Sequence, residues 1–341
     1  MIGALISLAL LAWVVRSANL SEVWGALRSA SYIYLLPIAA LVVLSFVLRA
    51  LRWQALFRGD GRPRWGSLFV AMMIGYLANN VLPARAGEVV RAYVIGRREG
   101  IARSTALATV VVERVADLVT ALLLLTFVLL SYPLPFWLRR AGIVVGLVAL
   151  VAIFSLVLLN VAGERAVRWF TKRLKFLPQN LLTRAEAVGG GFVAGTSGLR
   201  HASSALRFSG YTILIWAVEL FIMLLIGQIF NLPVSLFGML FVMLVVGLGT
   251  MVPSSPGYIG TYEFFAVNAL GALGVTGTPA LSFAFVSHAV TLLGSSIIGA
   301  LCMASQRIEL SSALKREAAS RESLLSPGGE MQGDGAQGVN G

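Results

Sequence analysis

Long apolar runs separated by short basic stretches constrain this chain more than any other feature of its sequence. A transmembrane helix needs about 20 mainly apolar residues. Because 58% of the residues are apolar and only 12% are charged, too few polar side chains exist to cover a water-soluble core. The sequence therefore predicts an all-α polytopic integral membrane protein with about six full spans. These predicted spans are 1–15, 32–51, 104–131, 141–161, 208–230 and 279–303.

The charge balance carries information about topology. Lys and Arg number 27 against 15 Asp and Glu, which gives a net charge of +12. In a soluble protein such an excess favours nucleic-acid binding, but in a membrane protein basic residues collect in cytoplasmic loops. Placing the basic segments 49–64, 85–103 and 162–207 and the tail inside predicts a protein of the inner (cytoplasmic) membrane. Both termini are then cytoplasmic, and no nucleic-acid partner is expected.

Two further apolar segments, 65–97 and 235–275, are interrupted near their middles by helix-breaking and polar residues. The charge pattern requires each of them to enter and leave the membrane on one side, which predicts two re-entrant helical hairpins. A broken helix is tolerated at membrane depth where it is buried in protein or lines a wet cavity. The alternative is a pair of ordinary kinked spans. The predicted hinge residues are Pro83, Gly87, Pro253, Pro256, Gly257 and Gly260, with second half-helices that begin near Gly87 and Gly257.

The hairpins occupy matching positions in two halves of the chain. Span, hairpin and span follow one another in unit 32–131 and again in unit 208–303, with opposite predicted orientation. An inverted-topology repeat with interrupted helices in both halves is the best sequence pointer to a transport site. We expect one transmembrane domain over 1–305 and a cytoplasmic, largely disordered tail over 306–341, which begins as a short helix.

Polar residues inside the apolar segments are the candidates for binding. A charge at a helix centre costs roughly 2.5–3.5 kcal/mol on insertion scales, so it persists when it is paired or faces a cavity. The predicted substrate-binding residues are Asn79, Asn80, Arg85, Glu88, Arg91, Glu113, Arg114, Asp117, Glu219, Glu263 and His288.

Arg85 and Arg91 carry forked donors that suit a phosphate, and each needs a partner: Glu88, an acidic residue of 104–131, or a lipid headgroup. Three structural alternatives stay open. Arg114 and Asp117 could form an ion pair that pins helices together, the first hairpin could be a self-neutralised plug, and His288 could be a helix contact rather than a proton carrier.

Three strings carry a family resemblance: Asn79 to Arg91, Thr109 followed by Glu113, Arg114 and Asp117, and Pro253 to Glu263. Together they resemble the flippase-like family of lysylphosphatidylglycerol synthase transmembrane proteins, over residue 1 to about 305. The resemblance implies a module that moves a lipid across the bilayer. In long members of the family this module precedes an aminoacyl transferase, which we do not expect here.

The function we expect is translocation of an anionic or lipid-linked headgroup, with a membrane phospholipid as partner. A second reading is a non-catalytic lipid-binding accessory of a lipid- or glycolipid-biosynthesis enzyme. An intramembrane enzyme is the third reading, but no Asp-x-Asp or His-x-x-Glu-His spacing occurs. We therefore predict no catalytic residue, no metal and no cofactor. One GxxxG pattern, Gly142 and Gly146, is weak evidence for a homodimer.

Overall fold

The computed structural model describes residues 31–57, 62–82, 85–131, 143–151, 197–251 and 255–325, with side chains up to 306, and isolated positions elsewhere. The described part is helical and contains no strand. Its helices are α1 (Leu35–Gln54), α2 (Trp65–Val81), α3 (Gly87–Glu99), α4 (Arg103–Ser131), α5 (Ala202–Ile229), α6 (Leu236–Gly249), α7 (Thr261–Ala272) and α8 (Thr278–Leu325).

Four helical stretches of the described residues are long and apolar enough to cross a membrane. They are Tyr32–Gln54, Arg103–Ser131, Ala202–Ile229 and Thr278–Gln306, and each coincides with a predicted span. The chain is therefore a helical membrane protein, as the sequence predicts. The predicted spans 1–15 and 141–161 lie mostly outside the described residues, although 143–151 is helical.

The first interrupted segment breaks where the sequence places the break. Helix α2 ends at Val81 and α3 begins at Gly87, while Pro83 lies outside the described residues. The side-chain oxygen Oδ1 of Asn79 accepts a hydrogen bond of 2.8 Å from the backbone amide of Gly87, which ties the two half-helices together. A Cβ on Gly87 would lie 1.9 Å from the carbonyl oxygen of Gly75, so only glycine permits this close approach of α2 and α3.

The second interrupted segment breaks as predicted, but α7 begins at Thr261 rather than near Gly257. The reason is local backbone geometry: Gly257, Tyr258 and Gly260 have φ of 67°, 59° and 86°. Such left-handed conformations cannot continue a right-handed helix. The predicted hinge residues Gly257 and Gly260 therefore extend the break instead of starting the helix.

A short 3₁₀ turn, Pro256–Tyr258, fills this longer break. Glu263 then accepts a 2.7 Å hydrogen bond from the amide of Gly260, which caps the start of α7. Pro253, the remaining predicted hinge, lies outside the described residues.

Helix contacts in the first unit recur in the second. In the first, α2 packs on α3 and α3 on α4; in the second, α6 packs on α7 and α7 on α8. Between the units, α1 packs on α5, while α2 packs on α8 and α6 packs on α4. These contacts of one unit therefore have counterparts in the other. The turn Pro256–Tyr258 also contacts α2, so the two interrupted segments meet.

The C-terminal helix and Gly146 can also be compared with the sequence-based predictions. Helix α8 continues to Leu325, so the first part of the predicted tail is helical, and 326–341 lie outside the described residues. A Cβ on Gly146 would lie 2.9 Å from Thr126 of α4, so this glycine packs within its own chain. Gly142 is outside the described residues, and the homodimer stays a prediction.

Candidate functional site

A polar cavity of about 330 Å³ lies between helices of both units, at the place where the interrupted segments meet. Its apolar lining includes Phe46, Ile215, Met223 and Met243. Its polar lining consists of Arg49, Tyr76, Asn79, Asn80, Arg85, Glu88, Arg114, Asp117, Trp216, Glu219, Thr250, Tyr258, Tyr262, Thr291 and Ser295.

The structure brings most of the predicted binding residues to this cavity. Those that line it are Asn79, Asn80, Arg85, Glu88, Arg114, Asp117 and Glu219. The other four, Arg91, Glu113, Glu263 and His288, are not part of the lining; they form two buried pairs behind it. In this structure these four side chains therefore do not line the space that a substrate would occupy.

Arg91 and Glu113 form the first buried pair. The Arg91 guanidinium contacts the Glu113 carboxylate, and each side chain is only 3% exposed. The same guanidinium lies 3.6 Å from the ring centre of Trp53, whose indole N–H donates a 2.8 Å hydrogen bond to Thr109. Of the partners left open for Arg91, the structure selects an acidic residue of α4, so its charge is already balanced.

Asp117 and Glu88 hold two further arginines. Arg52 donates to Asp117 at 3.0 Å and lies 3.4 Å from Glu113. Arg114 contacts Glu88 at 2.9 Å and Asp117 at 3.9 Å. The predicted Arg114–Asp117 ion pair is therefore present, but the closer partner of Arg114 is Glu88.

Two arginines at or behind the cavity are not among the residues predicted from sequence. Arg49 and Arg52 were assigned to the cytoplasmic segment 49–64, yet both lie within α1. Arg49 contacts Glu219 of α5 at 3.0 Å, and Ser45 donates to the same carboxylate at 2.6 Å. Positions 45, 49 and 52 follow the i, i+4, i+7 spacing of one helix face, and this was the available signal.

Arg85 differs from the other arginines of the cavity. It donates a 2.9 Å hydrogen bond to the carbonyl of Thr250, at the end of α6, and lies over the ring of Tyr258 at 5.8 Å. Among the described residues no carboxylate pairs with it. Arg85 and Tyr258 both adopt positive φ in the breaks of the two units, so the contact joins the two interruptions.

One guanidinium that lines the cavity has no carboxylate partner. The lining holds three arginines, Arg49, Arg85 and Arg114, and three carboxylates, Glu88, Asp117 and Glu219. Glu88 contacts Arg114, Glu219 contacts Arg49, and Asp117 is held by Arg52 from behind the lining, so within the described residues Arg85 alone of these arginines contacts no carboxylate. An uncompensated charge surrounded by apolar helices is costly, so the site favours a small anion.

Glu263 and His288 form the second buried pair. His288 Nδ1 lies 2.6 Å from the Glu263 carboxylate, and Nε2 lies 2.7 Å from the carbonyl oxygen of Gly257. The His288 ring stacks on Tyr262 at 4.5 Å. These contacts tie α8 to the second break, which is the helix-contact role that the sequence left open.

The predicted amide residues of the first break act as connectors. Asn79 joins α2 to α3 through Gly87. Asn80 donates hydrogen bonds of 2.9 Å to Ser295 and Ser296, which joins α2 to α8. In the part of the chain that the structure describes, no group of three or more His, Cys, Asp or Glu is placed to hold a metal ion.

Fold and site together define a class: a helical membrane protein with two interrupted segments that meet at a cavity lined by arginines and carboxylates. The chain belongs to the family described as the lysylphosphatidylglycerol synthase TM region, whose model matches residues 1–299. This confirms the family that the three motifs indicate.

Relatives with assigned names include proteins of archaea. Glycosyltransferase AglD of Haloferax volcanii is 30% identical over 94% of this chain, which spans 56% of the length of that relative. A UPF0104 membrane protein of Methanothermobacter thermautotrophicus is 27% identical over 82% of this chain and 87% of its own length. A UPF0104 membrane protein of Methanocaldococcus jannaschii is 33% identical over 26% of this chain and 29% of its own length. No solved structure matches the chain significantly.

Proposed function

We propose that this protein is a lipid flippase that moves an anionic or lipid-linked headgroup across the cytoplasmic membrane. The headgroup passes through the cavity while the acyl or prenyl chains remain in the bilayer. The observation that carries the proposal is the Arg85 guanidinium, which lines a cavity of about 330 Å³ and contacts no carboxylate of the described residues. A guanidinium is well suited to hold a phosphate through two parallel hydrogen bonds.

The proposed path uses the two interrupted segments as re-entrant hairpins. With a rise of about 1.5 Å per residue, α2 extends about 25 Å and α6 about 21 Å, less than the roughly 30 Å hydrocarbon core. Neither half-helix is long enough to cross alone. The recurring contacts of the two units support an inverted-topology repeat, in which the hairpins enter from opposite sides. In this arrangement both termini are cytoplasmic.

The Arg85 contact gives the flippase a way to change between access states. Arg85 connects the two breaks through a carbonyl and a ring rather than through a carboxylate. An incoming phosphate offers a stronger, charged acceptor than the Thr250 carbonyl. Binding of the headgroup therefore competes with the contact that holds the two breaks together.

A second candidate is a non-catalytic accessory that binds a lipid and assists a lipid- or glycolipid-biosynthesis enzyme. One observation favours it: the chain matches about half the length of a relative named as a glycosyltransferase. In both candidates the protein itself performs no chemistry, and its partners are a membrane lipid and, in the second, such an enzyme.

Reconstitution in liposomes separates these possibilities. Fluorescent phosphatidylglycerol placed in both leaflets is exposed to a membrane-impermeant quencher, and the rate at which inner-leaflet lipid becomes quenched is measured. We expect Arg85→Gln to lower this rate at least tenfold, and Arg85→Lys to keep part of it. Arg64→Gln is the matched control, because the Arg64 side chain is 89% exposed. Wild-type rates in Arg85→Gln would exclude the proposed mechanism, and lipid binding without any translocation by the wild type would favour the accessory.

A further inference from the structure

Besides its ion pairs, the cavity lining contains a group of uncharged polar side chains. Trp216 of α5, Tyr262 of α7 and Thr291 and Ser295 of α8 contribute to it. The indole N–H of Trp216 and the hydroxyl of Tyr262 are buried and have no hydrogen-bond partner among the described residues. The hydroxyls of Ser287 and Thr291 lie near that of Tyr262, and each donates a hydrogen bond to a backbone carbonyl of α8.

Unpaired buried donors call for an explanation, because proteins satisfy nearly all of them. Tyr262 is only 6% exposed, so bulk water does not compensate its hydroxyl. The Tyr262 ring stacks on His288, which fixes the position of the hydroxyl oxygen. Two such donors on residues that line one cavity indicate that a bound molecule supplies the missing acceptors.

The ion pairs restrict the charge of that molecule. Glu88, Asp117 and Glu219 each contact an arginine, so within the described residues the cavity offers no unpaired carboxylate to a cationic group. Among the described lining residues, Arg85 is the charged group without an ionic partner, so the charge that it can pair with is negative. The site therefore combines one anion position with neutral hydrogen-bond donors and aromatic surfaces.

We propose that the headgroup is a hydroxyl-rich one, a sugar or another polyol, attached through a phosphodiester with a single negative charge, and not a cationic aminoacyl headgroup. Arg85 holds the phosphate, the Trp216 indole and the Tyr262 hydroxyl donate to headgroup oxygens, and the aromatic rings pack on its apolar faces. This inference rests on the proposed function, since it names the substrate class of the same cavity.

The test compares matched lipids on the full-length protein in nanodiscs. Phosphatidylinositol and phosphatidylmethanol share one phosphodiester charge, but only the first has a headgroup with hydroxyls, and lysyl-phosphatidylglycerol has a cationic headgroup. We expect the wild type to bind phosphatidylinositol about tenfold or more tightly than either of the others, from several added hydrogen bonds.

Conservative variants test whether the donors of Trp216 and Tyr262 cause the preference for phosphatidylinositol. Trp216→Phe and Tyr262→Phe each remove one donor and keep an aromatic ring. Each should weaken phosphatidylinositol binding about threefold to tenfold and leave phosphatidylmethanol binding within twofold of the wild type. Because the removed atoms have no protein partner, the lipid-free variants should unfold at temperatures no lower than the wild type.

Several results would overturn this inference. These are equal binding of the two phosphodiester lipids, tighter binding of the lysyl lipid, unchanged phosphatidylinositol binding in both variants, or a loss of lipid-free stability that assigns the donors to the fold. The proposed function fails separately. It falls if the wild type binds neither phosphodiester lipid, or if Arg85→Gln binds phosphatidylmethanol as the wild type does, whatever the preference for hydroxyls.

Discussion

At the residue scale, four of the arginines around the cavity each contact a carboxylate, whereas Arg85 contacts a carbonyl and an aromatic ring. The paired arginines compensate the charge of carboxylates inside the protein, whereas Arg85 compensates none. A buried ion pair is close to neutral for stability when it is intact, but removing one partner leaves a charge without compensation. This asymmetry predicts opposite phenotypes for Arg91 and Arg85.

Arg91→Met should destabilise the protein by up to about 3 kcal/mol, because it removes the closer partner of the buried Glu113 carboxylate and leaves only Arg52, at 3.4 Å. The measurement is thermal unfolding of the purified protein in detergent. The double variant with Glu113→Leu is the control, and it should recover most of the loss, since no charge is then left unpaired. A single variant as stable as the wild type would show that Arg91 is not needed to neutralise Glu113.

Arg85→Gln should leave stability within about 1 kcal/mol of the wild type, since it removes one hydrogen bond to a carbonyl and strands no charge. Its effect should appear in lipid binding and translocation instead. Thermal unfolding of Arg85→Gln and of Arg91→Met under the same conditions distinguishes the roles of the two arginines. A loss for Arg85→Gln comparable to that for Arg91→Met would assign Arg85 to the fold.

At the element scale, the interrupted helices depend on close approach between their halves. Gly75 and Gly87 bring α2 and α3 together, and a Cβ on Gly249 would lie 2.2 Å from the ring of Phe265 in α7. The position of Gly87 also sets the register of α3, and with it the direction in which Arg91 reaches α4. Glycine in these helices serves packing, which outweighs its unfavourable helix propensity.

Gly87→Ala should cost about 1–3 kcal/mol or more, because the added methyl group overlaps backbone oxygen and forces α2 and α3 apart. Gly210→Ala in α5 is the matched control: nothing lies within 4 Å of its Cβ position. That substitution should raise stability by about 0.5–1 kcal/mol through helix propensity. Thermal unfolding of both variants checks the pair. Equal effects of the two alanines would contradict the close packing of the first hairpin.

At the scale of the whole molecule, each unit packs the first half-helix of its interrupted segment on the other unit. Helix α2 of the first unit lies on α8, and α6 of the second unit lies on α4. The cavity forms from both units, so neither half contains the site alone. A repeat whose halves have opposite orientation would place the two breaks at the same membrane depth from opposite sides.

The orientation of the hairpins can be measured with single cysteines in a Cys302→Ser background. Ala102→Cys follows the first hairpin and Thr276→Cys follows the second, and both positions are exposed. Re-entrant hairpins from opposite sides require Ala102→Cys to react from the cytoplasmic face and Thr276→Cys from the outer face. Both variants must first show wild-type unfolding. Labelling of the two positions from the same face would exclude the inverted repeat.

Part of this structure could be predicted from local sequence alone. Apolar runs identify the four long helices, and clusters of Pro, Gly and polar residues identify the two breaks, because helix formation and helix breaking depend on neighbouring residues. The start of α7 was misplaced by four residues. The left-handed conformations of Gly257, Tyr258 and Gly260 occur where the chain contacts α2 and α8, and local sequence does not report such tertiary contacts.

The sequence by itself determined that this chain is a helical membrane protein of its family, where its helices break, and which charged residues it carries into the apolar region. Only the tertiary structure decided how those charges pair. Arg49 meets Glu219 across 170 positions of sequence, and Arg52 meets Asp117 across 65. Helix packing selects these partners, and it thereby decides that Arg91 pairs with a carboxylate while Arg85 contacts a carbonyl oxygen instead.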